Sequence, residues 1–256
     1  MIENYSSKIP DIFSRVEIEI NTACNMKDLS GSYCSYCPNS IIDPIDPPQL
    51  MDDNLYTKII DELKELGFSG RLSFHFYSEP LLHPQIEWII KYATEKLHPR
   101  AERILYTNGD KLTESKYNKL VESGVTLIVI SNHSKKEFPL RPFQTVLENF
   151  HINNKGGVLG CIKTLNLPCF VPRHRLVIAY NGDILLCYED ARRINRFGNI
   201  KDKSIKEVWF SDTFNKMRQN LIEGRRDLYD PCKVCDNQAH IKYGQINVNF
   251  FESPIE

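Results

Sequence analysis

The chain has 256 residues, with 32 Lys and Arg against 33 Asp and Glu, and 41% of its residues are hydrophobic. This composition excludes a disordered chain, and a net charge of −1 gives no overall attraction to nucleic acid or to an anionic membrane. No apolar run approaches the roughly 18 to 20 residues that a membrane span needs, and the N-terminus lacks a signal-peptide pattern. We therefore expect a cytoplasmic protein that binds neither membrane nor nucleic acid.

The first 130 residues alternate β-rich and amphipathic segments, a pattern typical of βα units around a parallel sheet. Strands are predicted at 16–20, 71–76, 104–107 and 126–130, and helices at 55–66, 84–97 and 113–122. Either Asp52 or Asp53 is predicted to cap the first helix. The polar segments that follow the strands should meet at one end of the sheet, where α/β barrels place their chemistry.

The pattern changes after about residue 150. Asn181-Gly182-Asp183 predicts a tight hairpin turn, because Asn-Gly supplies the positive φ angles that such a turn needs. A helix is predicted from Ser204 to Leu221. We therefore divide the chain into an α/β part, residues 1–150, and a small hairpin-plus-helix module, residues 151–256. The module is too small to be stable alone, and a bound metal cluster would stabilise it.

Three cysteines, Cys24, Cys34 and Cys37, follow the first predicted strand. A reducing cytosol disfavours disulfides, so metal or redox chemistry is the leading interpretation. Three thiolates can hold three irons of a four-iron cluster and leave the fourth iron open to another ligand. A zinc site completed by a nearby histidine and unligated core cysteines remain alternatives.

The later cysteines form a second group of four, and one cysteine is left over. Four thiolates would saturate a metal centre, as structural zinc or as a fully ligated iron–sulfur cluster, and spacing alone slightly favours zinc. The four are Cys169, Cys187, Cys232 and Cys235. The remaining Cys161 is by itself more often a buried small hydrophobic residue than a reactive thiol.

Several motifs resemble those of radical S-adenosylmethionine (SAM) enzymes. They are Cys34-Ser35-Tyr36-Cys37, Ser78-Glu79-Pro80 and Asn108-Gly109, each placed after a predicted strand. The runs Phe74–Leu82 and Tyr106–Asp110 resemble the members of this family that oxidise aminocyclitols. The C-terminal part resembles the twitch module, the short form of the SPASM domain. One departure is that nine residues separate Cys24 from Cys34, six more than the family usually has.

The resemblance implies a partial (β/α)6 barrel followed by a twitch module, with two 4Fe-4S clusters and SAM as cofactors. Cys24, Cys34 and Cys37 would hold the SAM-binding cluster, and the later four cysteines would hold an auxiliary cluster. A Glu79 carboxylate could bind the SAM ammonium, and the Tyr36 ring could offer a surface to adenine or pack beneath the cluster. Candidate SAM contacts, each with turn formation or a structural role as the alternative, are Asn108, Ser131, Asn132 and His133. His75 and His83 are weaker candidates, and His75, in a predicted strand, is expected instead to be a buried, hydrogen-bonded ring.

The resemblance also implies an activity. A 5′-deoxyadenosyl radical would oxidise a secondary alcohol of an aminocyclitol or sugar-like substrate to a ketone, with the auxiliary cluster accepting the second electron. Lys155 could bind a substrate oxygen or take a proton, and a flavodoxin or ferredoxin-type protein would donate electrons. The alternatives are an epimerase in which Cys161 donates a hydrogen atom, a peptide-modifying enzyme, and a non-enzymatic zinc protein.

Overall fold

The computed structural model describes residues 12–27, 31, 34–148, 153–160, 165 and 167–237. Its strands are β1 (Arg15–Ile18), β2 (Arg71–Ser73), β3 (Glu102–Thr107), β4 (Leu127–Ser131), β5 (Gln144–Leu147), β6 (Arg175–Ile178), β7 (Asp183–Leu185) and β8 (Arg196–Asn199). They form one sheet in the order β5-β4-β3-β2-β1-β6-β7-β8. The first six in chain order pair in parallel, while β7 and β8 add antiparallel pairs at one edge.

Three helices connect the first four strands. They are α1 (Asp53–Glu65), α2 (Ile86–Lys96) and α3 (Glu114–Glu122). Of the two predicted caps, Asp52 begins α1, because its Oδ1 accepts from the backbone N–H groups of Asn54 and Leu55 at 2.9 and 3.1 Å. This succession of parallel strands and crossover helices confirms the predicted α/β architecture of a partial barrel.

The hydrophobic core lies between the outer face of the sheet and these helices. Val16 and Ile18 of β1 are fully buried there, against Ile59 and Leu63 of α1. Because side chains alternate along a strand, Glu17 points to the opposite, inner face of the sheet. The inner face of the parallel strands therefore carries polar residues, and it lines the cavities described below.

The predicted hairpin is present, and it is part of the main sheet. Its turn contains Gly182 at φ +92°, as the Asn-Gly signal predicts. Strand β6 pairs in parallel with β1, from Arg15 opposite Arg175 to Ile18 opposite Ile178. The boundary near residue 150 stays a prediction, because strands from both predicted parts belong to one continuous sheet.

Some predicted element bounds were wrong. The predicted helix 204–221 is two helices, α5 (Ile205–Trp209) and α6 (Asp212–Ile222), which follow a helical turn, α4 (Val171–His174). Ser211 begins α6 as a second cap, since its Oγ accepts from the N–H of Phe214 at 3.3 Å. The predicted strand 71–76 forms ladder pairs only over Arg71–Ser73.

Within the described ranges, no helix is long and apolar enough to cross a bilayer.

Candidate active site between two groups of cysteines

A first cavity of about 190 Å³ lies beyond the carboxyl ends of β2, β3 and β4. Cys24, Cys34 and Cys37 all line it, and their thiols are close enough to interact electrostatically with one another. The backbone N–H of Cys37 donates to the Cys34 carbonyl at 2.8 Å, so a tight turn holds this pair. The structure therefore brings the first three cysteines to one cavity, as predicted.

The electrostatics of these thiols fit a highly charged metal centre. Burial raises the pKa of Cys24 to about 11 and also raises the pKa values of Cys34 and Cys37. A multinuclear iron centre reverses this balance, because metal ligation requires the thiolate. Three thiolates at one cavity are the ligands that a four-iron cluster with one open iron needs.

Glu79 is a buried carboxylate at the edge of this cavity, with only 2% of its surface exposed. Its Oε1 accepts from the N–H of Leu81 at 3.0 Å and from the hydroxyl of Thr107 at 2.7 Å, and its Oε2 accepts from the N–H of Asn108 at 2.7 Å. Burial raises the pKa of Glu79 despite these three bonds. A carboxylate has about four acceptor positions, so one on Oε2 is left for a ligand.

The backbone of Glu79 is tied to the loop that carries the first cysteine. Its N–H donates to the carbonyl of Ala23 at 2.7 Å, and its carbonyl accepts from Nδ2 of Asn21 at 3.1 Å. Asn21 lies between β1 and Cys24, and Glu79 follows β2. These bonds fix the position of the carboxylate relative to the cysteine loop.

Three more of the predicted residues line the first cavity. The hydroxyl of Tyr36 is hydrogen-bonded to Nδ1 of His133, and the two ring centroids are 5.2 Å apart. Ser131, at the end of β4, also lines the cavity. Burial lowers the pKa of His133, which favours the neutral ring. The structure thus brings Tyr36, Ser131 and His133 to the same cavity as Glu79.

The two predicted asparagines differ in their positions. Asn108 lines the cavity, but its Oδ1 accepts from the N–H of Asp110 at 3.0 Å and its Nδ2 donates to Asn25 at 2.8 Å. Asn132 is not among the lining residues; its Nδ2 donates to Glu148 Oε1 at 2.9 Å. Both side chains thus form turn or loop hydrogen bonds, which is the alternative role given for them in the sequence analysis. Their predicted contacts with SAM stay predictions.

The second group of cysteines forms a closed site. The thiols of Cys169, Cys187, Cys232 and Cys235 interact with one another, and burial is the largest cause of the raised pKa of each, to about 12 at Cys235. The N–H of Glu189 donates to Cys187 Sγ at 3.3 Å, and the N–H of Asn237 donates to Cys235 Sγ at 3.4 Å. Four mostly buried thiols with such bonds fit a fully ligated iron–sulfur cluster.

A second cavity, of about 300 Å³, adjoins the first. The two share His75, Phe76, Tyr77 and Tyr106 as lining residues. Lys155 and Tyr188 line the second cavity, and Tyr188 directly follows the ligand candidate Cys187. Burial raises the pKa values of Cys37 and Glu189, and the Lys155 ammonium offsets part of each rise, so Lys155 lies within electrostatic reach of both residues. Glu189 in turn donates its backbone N–H to Cys187 Sγ of the second cysteine group. This cavity therefore lies between the two cysteine groups.

Sequence reasoning missed most of the second cavity. His75 was expected to be a hydrogen-bonded ring, but its buried Nδ1 has no partner among the described residues and the ring lines both cavities. His83 has a structural role, since its Nδ1 accepts from the N–H of Gln85 at 3.2 Å. Charged and apolar residues alternate along Arg15-Val16-Glu17-Ile18, and successive side chains of a strand point to opposite faces of the sheet. This alternation could have predicted a charged inner face. The predicted role of Cys161 lies outside the described residues.

Comparison with known proteins identifies the class. The model of the radical SAM superfamily matches residues 18–155, and the model of the iron–sulfur cluster-binding SPASM domain matches residues 169–236. The chain belongs to the radical SAM superfamily, so SAM and iron–sulfur clusters are its cofactors. Two cysteine groups with the properties described above fit these cofactors. The family sets aside the zinc-protein alternative.

The chain is also similar to individual members of the superfamily. It is 34% identical over 242 residues to S-adenosyl-L-methionine-dependent 2-deoxy-scyllo-inosamine dehydrogenase from Niallia circulans, covering 88% of this chain and 94% of that protein. The crystal structure of BtrN in complex with AdoMet and 2-DOIA matches with a TM-score of 0.79 at 34% identity, over 89% of this chain and 94% of that chain. BtrN in an open conformation matches with a TM-score of 0.73 over the same shares. The predicted resemblance to aminocyclitol-oxidising members and the predicted oxidoreductase class are thus confirmed.

A more distant structure has the same fold. The native anSMEcpe protein with bound AdoMet matches with a TM-score of 0.51 at 12% identity, over 86% of this chain and 87% of that chain. At this identity the likeness concerns the fold alone.

Proposed function

We propose that this chain is a radical SAM dehydrogenase that oxidises a secondary alcohol of an aminocyclitol or a sugar-like substrate to a ketone. The observation that carries the proposal is the second cavity. It shares four lining residues with the cavity of the first three cysteines, and it reaches Tyr188, next to the second cysteine group. The relative with 34% identity is named for the same type of oxidation, which supports the proposal.

The first cavity is the proposed SAM site. Cys24, Cys34 and Cys37 are assigned to the first cluster, and the remaining acceptor position of Glu79 is assigned to the SAM ammonium. Tyr36 and His133, held together by their hydrogen bond, present a continuous wall to the rest of the cofactor. When bound, SAM on its reduced cluster supplies the one-electron chemistry that removes a hydrogen atom from carbon.

The second cavity is the proposed substrate site. Oxidation of an alcohol to a ketone removes one hydrogen atom, one proton and one electron from the substrate. We assign Lys155 to the substrate oxygen, since it lines this cavity within electrostatic reach of Cys37. The second cysteine group, beside Tyr188, would hold the acceptor of the electron.

The proposal includes an electron donor and a cellular location. A flavodoxin or ferredoxin-type protein would deliver the electron to the first cluster. Seven thiols assigned as cluster ligands require a reducing compartment, which supports the cytoplasm.

The proposal is tested by anaerobic turnover of the cluster-loaded protein. The protein is incubated with SAM, dithionite and a panel of aminocyclitols and sugars, and products are read by mass spectrometry. We expect 5′-deoxyadenosine together with a product lighter by two hydrogens. An isomer of unchanged mass would indicate the epimerase, and a methylated product would contradict both.

A further inference from the structure

Lys155 reaches the second cavity from a tight turn, residues 153–159, which we call the Lys155 turn. Three successive residues of this turn have positive φ angles, 48° at Lys155, 61° at Gly156 and 83° at Gly157. A Cβ on Gly157 would lie 2.4 Å from Cγ2 of Val234, so only glycine allows the turn to approach the loop of the second cysteine group this closely. The turn that carries Lys155 therefore packs directly against that loop.

Asn154 connects the Lys155 turn to the residues on both sides of Cys235. Its Nδ2 donates to the carbonyl of Val234 at 2.6 Å, and its backbone N–H donates to Oδ1 of Asp236 at 2.8 Å. Its Oδ1 accepts from the N–H of Asp236 at 3.2 Å and, within the turn, from the N–H of Gly157 at 3.1 Å. Asn154 is only 3% exposed, so water hardly competes for these bonds.

Asn153 gives the turn a second connection, to the segment that follows Cys187. Its Oδ1 accepts from the N–H of Lys155 at 3.0 Å, and its Nδ2 donates to Oε1 of Glu189 at 2.7 Å. The same carboxylate oxygen accepts from Nδ2 of Asn237 at 2.8 Å. The N–H of Glu189 donates to Cys187 Sγ, as described above. Two adjacent asparagines therefore join the Lys155 turn to two segments of the second cysteine group.

The backbone of Lys155 needs these contacts. A residue other than glycine at φ 48° lies in the left-handed region, which costs energy and persists only where the surroundings hold it. The bonds of Asn153 and Asn154 supply this support. Four thiolates on one cluster join distant parts of the chain, so the loop around Cys235 is held most firmly when the cluster is bound. The order of this loop should therefore extend to the Lys155 turn.

We infer that Asn154 is a positioning residue, through which the second cysteine group holds Lys155 in the substrate cavity. The auxiliary-cluster site then has a second task besides accepting an electron, because it completes the cavity in which the substrate binds. The contact of Lys155 with the substrate rests on the proposed function. The connection from Cys235 to the Lys155 turn rests on the hydrogen bonds and packing described above.

The test is a double-mutant cycle in the full-length, cluster-loaded protein, read by anaerobic amide hydrogen exchange at Val158 and Leu159. Their N–H groups donate to the backbone carbonyls of Lys155 and Asn154, at 3.3 and 3.1 Å, so both acceptors remain in Asn154→Ala. Asn154→Ala should speed exchange by about tenfold, the effect of losing one or two buried hydrogen bonds. Cys235→Ala should also speed it. The double variant should show less than the product of the two effects, because both changes break one connection.

The matched control is Asn199→Ala, in the part of the chain that forms β7 and β8. Asn199 also ties backbone segments together, since its Nδ2 donates to the carbonyl of Asn181 at 3.1 Å and its Oδ1 accepts from the N–H of Lys201 at 2.9 Å. It lies outside the lining of the second cavity. Asn199→Ala should leave exchange at Val158 and Leu159 as in the wild type.

Three results would overturn the inference. They are unchanged exchange in Asn154→Ala or in Cys235→Ala, single effects that multiply fully in the double variant, and an equal effect of Asn199→Ala. If Asn154→Ala does not load its clusters, Gly157→Ala takes its place in the cycle. Its new Cβ would push the turn away from Val234, and the same outcomes decide.

Failure of the inference and failure of the proposed function give different results. Ketone formation from the panel of aminocyclitols and sugars, without coupled exchange, contradicts the inference and supports the dehydrogenase. Coupled exchange without any ketone product supports the inference and contradicts the dehydrogenase. Where both hold, Asn154→Ala should release more 5′-deoxyadenosine per ketone than the wild type, because Lys155 no longer holds the substrate oxygen.

Discussion

At Glu79 the chain holds a carboxylate almost completely out of water beside three cysteines. Two backbone N–H groups and the Thr107 hydroxyl stabilise its charge, and burial nonetheless raises its pKa. Such a group needs one more partner to favour its ionised form fully. The ammonium of SAM would be such a partner, which is the physical reason for the role that we propose for Glu79.

Glu79→Gln should weaken SAM binding by about tenfold to a hundredfold, because a hydrogen bond to a charged group contributes about 1.5–3 kcal/mol. The introduced amide also places an NH2 group near N–H donors that need an acceptor. Equilibrium dialysis of SAM with the cluster-loaded variant measures the effect. Glu65→Gln, at the exposed end of α1, is the control and should bind SAM as the wild type does. An unchanged SAM affinity in Glu79→Gln would remove Glu79 from the site.

Cys161 distinguishes the dehydrogenase from the epimerase. A dehydrogenase passes the second electron to the auxiliary cluster and needs no thiol hydrogen donor, so Cys161→Ala should form ketone at the wild-type rate. The assay compares ketone and 5′-deoxyadenosine yields in the two proteins. Loss of product formation with continued SAM cleavage would instead favour the epimerase.

At the scale of single elements, His83 connects the first turn after Glu79 to α2. Its ring is 3% exposed, and its Nδ1 accepts from the N–H of Gln85 directly before α2. Burial lowers the pKa of His83, more than the Asp53 carboxylate raises it. The unfolded chain therefore binds this proton at a higher pH than the folded chain. The contribution to stability is complete above the unfolded pKa and is lost as pH falls towards the folded pKa.

His83→Asn should flatten the loss of stability below about pH 6.5, the ordinary pKa of histidine. Asparagine retains an acceptor for the Gln85 N–H but does not titrate, so the free energy of unfolding of the variant should fall less than that of the wild type as the pH drops. Urea unfolding between pH 7 and pH 5 measures it. The matched control is His98→Asn, because His98 makes the same contact, with Arg100 N–H at 3.1 Å, on the surface. Equal pH dependence in the two variants would contradict the role of burial.

The elements that the sequence predicted best are those with two local signals. Helix α1 has both an apolar face and the Asp52 cap, and its predicted position is nearly correct. The break between α5 and α6 was missed although Ser211-Asp212 is a cap signal, because the apolar spacing continues across it. Strand β5 was missed because all four of its residues are only half-buried and its pattern is weak.

For the whole molecule, the seven ligand candidates and Glu79 were predictable from local motifs. The second cavity was not, because it is assembled from β1, β2, β3 and β6, which are far apart in the chain. Its arginines, Arg15, Arg71 and Arg175, become neighbours only through strand register, and one sequence does not give the register of β6 on β1. The second cavity is therefore a property of the complete sheet.

Cys187→Ala should separate the two parts of the reaction. The variant should still cleave SAM, because the first cysteine group is intact, but it should form little ketone because the electron acceptor is damaged. Its thermal unfolding temperature should also fall, since Cys187 is a buried member of the four-thiol site. Product mass spectrometry and calorimetry measure these effects. Wild-type ketone yield in Cys187→Ala would contradict electron transfer to this site.

We expect the first three cysteines and their cavity to support reductive cleavage of SAM. The most direct measurement is the yield of 5′-deoxyadenosine after anaerobic dithionite reduction of the cluster-loaded protein with SAM. We predict cleavage by the wild type and by Cys187→Ala, and none by Cys37→Ala. Intact SAM with the iron-loaded, reduced wild type, or equal cleavage by Cys37→Ala, would show that these cysteines do not hold the cluster that cleaves SAM.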